Sequence, residues 1–252
     1  MLKTRIIPTI LWKNENIVKG IGFDSWRRIG TLLPAVKVYN LRQVDELIIL
    51  DIQATEEGRL PNLGTISDIT KECFVPLTIG GGIRTASDVK DILRVGADKI
   101  CLNTTSYTNP SIVSDIAYMY GSQCVVASID AKLVGSEYYC YSHNGTVNTG
   151  RTVRNWAKEL EKLGAGEIII TSIEKDGTMQ GYDLDLISLV STTVKIPVIA
   201  SGGAGKYEDM YQAIVKGNAS AVAASNMFNF TEATPHAARE YLRSKHIPVR
   251  KI

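Results

Sequence analysis

Histidine is scarce in this 252-residue chain, with three in all: His143, His236 and His246. The first lies in a turn-like stretch and the others near the end of the last helical pattern, so neither histidine acid/base chemistry nor a His-rich metal site is suggested. The four cysteines, Cys73, Cys101, Cys124 and Cys140, are widely spaced and form no C-x-x-C pair. That argues against a zinc or dithiol redox motif and predicts buried free thiols. Charge of one sign is also missing: 28 Lys and Arg face 26 Asp and Glu, a formal net charge of +2. No global field therefore attracts nucleic acid or an anionic membrane, and neither is expected as a partner. No run of about 18 apolar residues occurs, and Met1-Leu-Lys-Thr-Arg5 leads straight into a strand-like run. A cytoplasmic location is expected. No G-x-G-x-x-G follows the first strand-like run, which removes the dinucleotide fingerprint.

What is present is 44% apolar residues arranged in short β-branched runs, each followed by helical spacing. Eight such runs occur: Arg5 to Leu11, Glu46 to Ile52, Leu77 to Gly80, Lys99 to Asn103, Cys124 to Asp130, Glu167 to Ser172, Val198 to Ser201 and Ser220 to Ala224. Eight strand-helix units in this length predict an α/β fold, a single (β/α)8 TIM barrel over residues 1–252. The second half repeats the first. Glu46 and Glu167, Gly82 and Gly203, Gly96 and Gly217, and Thr104 and Ser225 are each 121 apart. The chain reads as two half-barrels, about 1–120 and 121–245, with paired sites at the C-terminal strand ends. Two segments interrupt the repeat. Lys13 to Gly30 is expected to be a mobile lid. Val134 to Val147, with its Asn144-Gly145 pair, is expected to be a β-hairpin.

Glycines follow the third strand in Ile79-Gly-Gly-Gly-Ile83 and the seventh in Ala200-Ser-Gly-Gly-Ala-Gly205. Such loops let backbone N–H groups approach an anion, while Asn103-Thr104 and Ala224-Ser225 supply donors from the neighbouring strands. Either loop alone reads as a tight turn. Their duplication favours two phosphate cradles, with Gly82, Asn103 and Thr104 in one and Gly203, Ala224 and Ser225 in the other. The expected ligand is an elongated phosphorylated small molecule with an anionic group at each end.

Over nearly the whole chain these segments resemble the HisF family, the cyclase subunit of imidazole glycerol phosphate synthase. The resemblance is carried by Val18-Lys-Gly20, Leu50-Asp-Ile52, Ile79 to Ile83, Gly121-Ser-Gln123, Ser128-Ile-Asp-Ala-Lys132, Asn148-Thr-Gly150, Gly164-Ala-Gly-Glu167, Thr171-Ser172, Asp176-Gly-Thr178, Gly181-Tyr-Asp183 and Ala200 to Lys206. It implies a barrel of the HisA/HisF half-barrel-duplication type, without cofactor or metal, that receives ammonia from a HisH-like glutaminase at its bottom face and closes a ring at its top. The family's catalytic pair is two aspartates. Asp130 matches the second, whereas the first position is Leu11. Because leucine transfers no proton, the resemblance implies that the original cyclase activity is impaired. Asp130 stands as either a catalytic group or a structural carboxylate, and Lys19 matches the family's substrate loop.

At the strand starts, Arg5, Glu46, Lys99 and Glu167 match the family's salt-bridged ammonia gate, Thr78 a channel-lining position and Asp98 the glutaminase interface. A set of ordinary surface ion pairs is the alternative. Pro8-Thr-Ile-Leu11, Ile52-Gln-Ala-Thr-Glu-Glu-Gly58 and Glu72-Cys-Phe74 look like the glycosyl amidation-associated second-copy branch, WbuZ. That resemblance implies ammonia delivery for amidation of an acetamido sugar in surface polysaccharide biosynthesis, with an ATP-dependent N-acetyl sugar amidotransferase as further partner. The competing expectation is a histidine-pathway cyclase in which Asp51, Asp176 or Glu15 replaces the missing carboxylate.

Overall fold

In the computed structural model, which describes residues 3–251, eight parallel strands close into a barrel. They are β1 (Arg5–Lys13), β4 (Leu47–Asp51), β5 (Leu77–Gly80), β6 (Lys99–Leu102), β7 (Val125–Val134), β10 (Glu167–Ser172), β11 (Val198–Ser201) and β12 (Ala221–Ala224). Closure is made by β7 on β10 and by β12 on β1. The remaining four strands are antiparallel: β2 (Asn16–Ile21), β3 (Asp24–Thr31), β8 (Glu137–Ser142) and β9 (Val147–Thr152).

Period-two alternation sorts each barrel strand into two cores. Ile7, Ile48, Cys101, Val126, Ile169, Ile199, Ala221 and Ala223 fill the barrel interior. Their strand neighbours Ile6, Ile49, Ile100, Val125, Ile168, Ile170 and Val198 instead pack outward against the helices. Those helices present one apolar stripe each. Val153–Leu163, for example, buries Val153, Trp156, Ala157 and Leu160 at helical spacing and ends on Gly164 in the left-handed conformation. Helix Ala86–Arg94 opens on a Thr85–Asp88 capping box. Among the described residues no helix is long and apolar enough to cross a membrane. All four cysteines are free; three are buried and Cys73 is only half-buried, less than expected.

The two segments expected to interrupt the repeat are counterparts instead. Each half extends its first strand beyond the barrel rim and folds it back into an antiparallel pair, β1–β2–β3 in one half and β7–β8–β9 in the other. Lys13 to Gly30, expected as a mobile lid, is built as a paired hairpin. Its first turn is Asn14-Glu15, both residues at positive φ, between the paired Lys13 and Asn16. The Asn144-Gly145 turn falls where expected, between β8 and β9, and Asn144 Nδ2 reaches across to donate to the Ile52 carbonyl at 2.6 Å.

A second correction concerns the repeat arithmetic. Ile79 pairs with Ile100, and Ala200, which lies 121 later, pairs with Val222. The offset has thus become 122 by the last strand. Asn103 and Ser225 share a backbone shape, φ −122°, ψ −87° and φ −128°, ψ −75°, each just ahead of a one-turn helix. Ser225 is the counterpart of Asn103, not of Thr104. One additional residue between Gly217 and β12 is the reason.

Candidate functional site

Inward alternation brings Leu11, Leu50, Cys101, Asn103, Asp130, Thr171, Ser201 and Ser225 around a cavity of about 150 Å³ at the C-terminal mouth. Leu11 pairs with Leu50, and Asp130 with Thr171. Subtraction of partners (171 and 50) returns the offset of 121, so the barrel's own registry places Leu11 where the other half carries Asp130.

Asp130 accepts from Asn103 Nδ2 at 3.1 Å and from Ser128 Oγ at 3.4 Å. Burial pushes its carboxyl up to about 7; the Ser128 bond opposes that rise and the charge of Asp176 adds to it. Of the carboxylates considered as replacements, Asp51 is committed to structure. Its Oδ1 accepts from the N–H groups of Gln53 and Ala54, and its Oδ2 is 2.6 Å from Arg59 Nη1. Glu15 lies exposed on the outer turn of the hairpin. Asp176 lines the mouth, and burial raises its carboxyl to about 6 against the opposing pull of Lys19.

The glycine loops fit the duplicated arrangement. Gly81 and Gly82 stand at φ +107° and +63°, Gly202 and Gly203 at +84° and +106°. A Cβ on Gly82 would fall 1.9 Å from the Arg59 carbonyl oxygen, and one on Gly203 would fall 2.2 Å from that of Gly181. The Gly82 N–H donates to Thr55 Oγ1 at 3.2 Å, Thr104 Oγ1 accepts from His143 N, and Ser225 Oγ donates to the Thr9 carbonyl. Ala224 lines the same mouth.

Lys19 is not on an open loop. It lies on β2 within the hairpin, buried at 2% exposure, with Nζ donating to the Thr9 carbonyl at 3.0 Å. Burial pushes its ammonium down to about 7, against the pull of Asp176. Gly22 N donates to the Asp176 carbonyl at 2.9 Å, which fastens the hairpin over the mouth.

At the opposite end the four charged strand starts form a closed ring. Arg5 reaches Glu46 at 2.6 Å and Glu167 at 2.8 Å, while Lys99 reaches the same two carboxylates at 2.7 and 2.9 Å. Thr78 Oγ1, fully buried, adds a bond to Glu46 at 3.3 Å. Burial opposes ionisation of Glu167, yet Arg5 and Lys99 outweigh it and hold the carboxyl below the usual carboxylate range. The exposed Asp98 carboxylate accepts from Leu77 N at 2.8 Å, ahead of the strand carrying Thr78.

With this geometry in view, residues 5–232 match the family described as Histidine biosynthesis protein. The chain is 43% identical over 250 residues to the imidazole glycerol phosphate synthase subunit HisF of Prosthecochloris aestuarii, covering 99% of this chain and 100% of that relative. It is 44% identical over 252 residues to the same subunit of Hyphomonas neptunium, with both chains covered in full. The chain belongs to the HisF family. Within this HisF-family barrel the mouth contains groups that motif reasoning passed over. Cys101, whose thiol burial pushes up to about 12, and Ser128 sit between ring and mouth; only their inward parity in the strands marks them. Trp26 and Phe23, on the hairpin, wall the cavity, and nothing in their local spacing signals it. Among the described residues no group of three or more His, Cys, Asp or Glu is placed to hold a metal ion.

Proposed function

We infer that this barrel is the ammonia-conducting synthase subunit of a glutamine amidotransferase, acting with a HisH-like glutaminase docked at the ring face beside Asp98. The observation that carries this reading is the combination of an intact charged ring with Leu11 at the mouth. The ring of Arg5, Glu46, Lys99 and Glu167 surrounds the barrel axis, and beyond it the bore is lined by Ile7, Ile48, Val126 and Ile169. Neutral ammonia passes an apolar bore more readily than ammonium, whose desolvation is costly. At the far end Leu11 stands at the position equivalent to Asp130, so paired acid/base transfer between the two first-strand positions is missing one partner.

The product is an amidinated sugar. An ATP-dependent N-acetyl sugar amidotransferase activates the carbonyl oxygen of an acetamido group; ammonia adds to that carbon and the activated oxygen leaves, giving an acetamidino group. The phosphate cradles at Gly82–Asn103–Thr104 and Gly203–Ala224–Ser225 hold a phosphorylated ligand at the mouth, with Lys19 beneath the second. The test is reconstitution of barrel, glutaminase and amidotransferase with glutamine, ATP and a nucleotide-linked acetamido sugar. Replacement of the carbonyl oxygen by an imino nitrogen, read by mass spectrometry, supports the reading; glutamine hydrolysis without amidinated sugar counts against it.

Asp176 supports a second reading, a histidine-pathway cyclase with a relocated acid/base group, because its carboxyl is raised to about 6 inside the mouth. Turnover of the bisphosphorylated ribulosyl intermediate with ammonium salts, lost in Asp176→Asn, would favour it.

A further inference from the structure

A second cavity, about 240 Å³, opens beside the mouth between the hairpin and the end of the barrel. Gly177 and Asn226 line both cavities, and Asn226 follows Ser225 directly. The groove therefore begins one residue from the second phosphate cradle. Among the described residues its charged lining is Lys19 and Arg27, with no carboxylate.

Both cations are short of partners. Lys19 Nζ donates to the Thr9 carbonyl, the same oxygen that receives Ser225 Oγ, so the buried ammonium stands at the junction of cradle and groove. Among the described residues it has no further acceptor and no carboxylate within ion-pair distance. Arg27 is held 4.2 Å over the Phe230 ring, and among the described residues its guanidinium meets neither carboxylate nor carbonyl. The first cradle is different. There Arg59 is already neutralised by Asp51 and Glu57, each at 2.6 Å. At one end of the mouth the guanidinium is thus already taken up by two carboxylates, and the other end adjoins two cations that, among the described residues, no carboxylate approaches within ion-pair distance, Lys19 feeling only the longer-range pull of Asp176.

We propose that this groove receives the second phosphoryl group of a diphosphate ester whose first phosphoryl group lies in the Gly203–Ser225 cradle. Arg27 contacts the outer phosphoryl oxygens and Lys19 the bridging region. A buried ammonium with free N–H groups gains charge-assisted bonds from such a ligand that a monophosphate in the cradle leaves unmade on the Arg27 side. That the ester carries a sugar rests on the amidation reading; that it is a diphosphate rests on the groove. Two sources share this chemistry, a nucleoside diphosphate sugar and an isoprenoid diphosphate sugar.

The test is calorimetric titration of the full chain with N-acetylglucosamine 1-phosphate, UDP-N-acetylglucosamine and geranyl diphosphate. Arg27→Gln is the variant, since this exposed side chain makes no ion pair among the described residues and lies outside the proposed catalytic and cradle residues. Both diphosphates are expected to bind at least about tenfold more tightly than the monophosphate, and Arg27→Gln to remove about that factor from them alone. The tighter of the two names the source. Equal affinity for mono- and diphosphate, an equal loss for both in Arg27→Gln, or no diphosphate binding would each overturn the proposal. Arg27-dependent diphosphate binding together with failed sugar amidation would leave the groove standing and count against the amidation reading alone.

Discussion

Leu11 and Asp130 are equivalent residues in the two halves of the barrel, paired with Leu50 and Thr171 respectively. At the barrel mouth the first strand of one half presents a carboxyl and that of the other a branched alkyl group. The consequence for Asp130 is direct: no second carboxylate faces it from that position, and burial, with a smaller contribution from the charge of Asp176 and against the Ser128 bond, lifts it to about 7. Carbon-detected NMR of the Asp130 carboxyl should show a midpoint near that value. In Leu11→Asp the two carboxyls should titrate as a coupled pair with the upper midpoint displaced further upward. An Asp130 midpoint near 4 in the unmodified protein would contradict the burial argument.

The same group sets a pH dependence of stability. Its folded pKa lies above the unfolded value of about 3.9, so between about pH 4 and 7 the folded state holds a proton that the unfolded state has lost. The contribution of Asp130 to stability therefore falls through this window as pH rises and is constant above it. Asp130→Asn should be stabilising by about 1–3 kcal/mol at pH 8 and neutral at pH 4 in urea titrations. A stabilisation independent of pH would assign the effect to packing.

The charged ring predicts a separation of two activities. Glu46 is buried and accepts from Arg5, Lys99 and Thr78 together. Glu46→Gln should cost about 1–3 kcal/mol of stability by leaving both cations dependent on Glu167. Under the ammonia-conduction reading, Lys99→Ala should change glutamine-dependent product formation in the assembled complex and spare ammonia-dependent formation. Equal effects on both would remove the ring from the ammonia path.

The eight-stranded barrel was legible in the sequence because alternating Ile and Val runs and the 121-residue repeat are local, periodic signals. The ring was legible for the same reason: Arg5, Glu46, Lys99 and Glu167 each sit at a strand start, and closure brings strand starts together. Other features depend on partners distant in sequence. Lys19 looked like a loop lysine, and only the pairing of β2 with β1 buries it against Thr9. The slip from Thr104 to Asn103 as the counterpart of Ser225 appears only in strand registry. Asp51 and Asp176 are indistinguishable as motif aspartates; Arg59 and two backbone N–H groups occupy one, while burial beside Lys19 tunes the other.

The glycine cradles predict strain on substitution. Gly82→Ala places a Cβ where only 1.9 Å separates it from the Arg59 carbonyl oxygen, at φ +63°. It should destabilise by about 2 kcal/mol or more and weaken phosphate-ester binding. Gly150→Ala, at positive φ with open space around it, serves as the control and should cost less. Equal losses would mean that backbone conformation alone, without close approach, sets the penalty.

Under the amidation reading, Leu11 leaves this barrel without its family's ring closure while the rest of the architecture is kept. Expression of this chain, alone and as Leu11→Asp, in a strain lacking the histidine-pathway cyclase tests it most directly. No growth without histidine is predicted for the unmodified chain, with any recovery confined to Leu11→Asp. Growth supported by the unmodified chain would contradict the account.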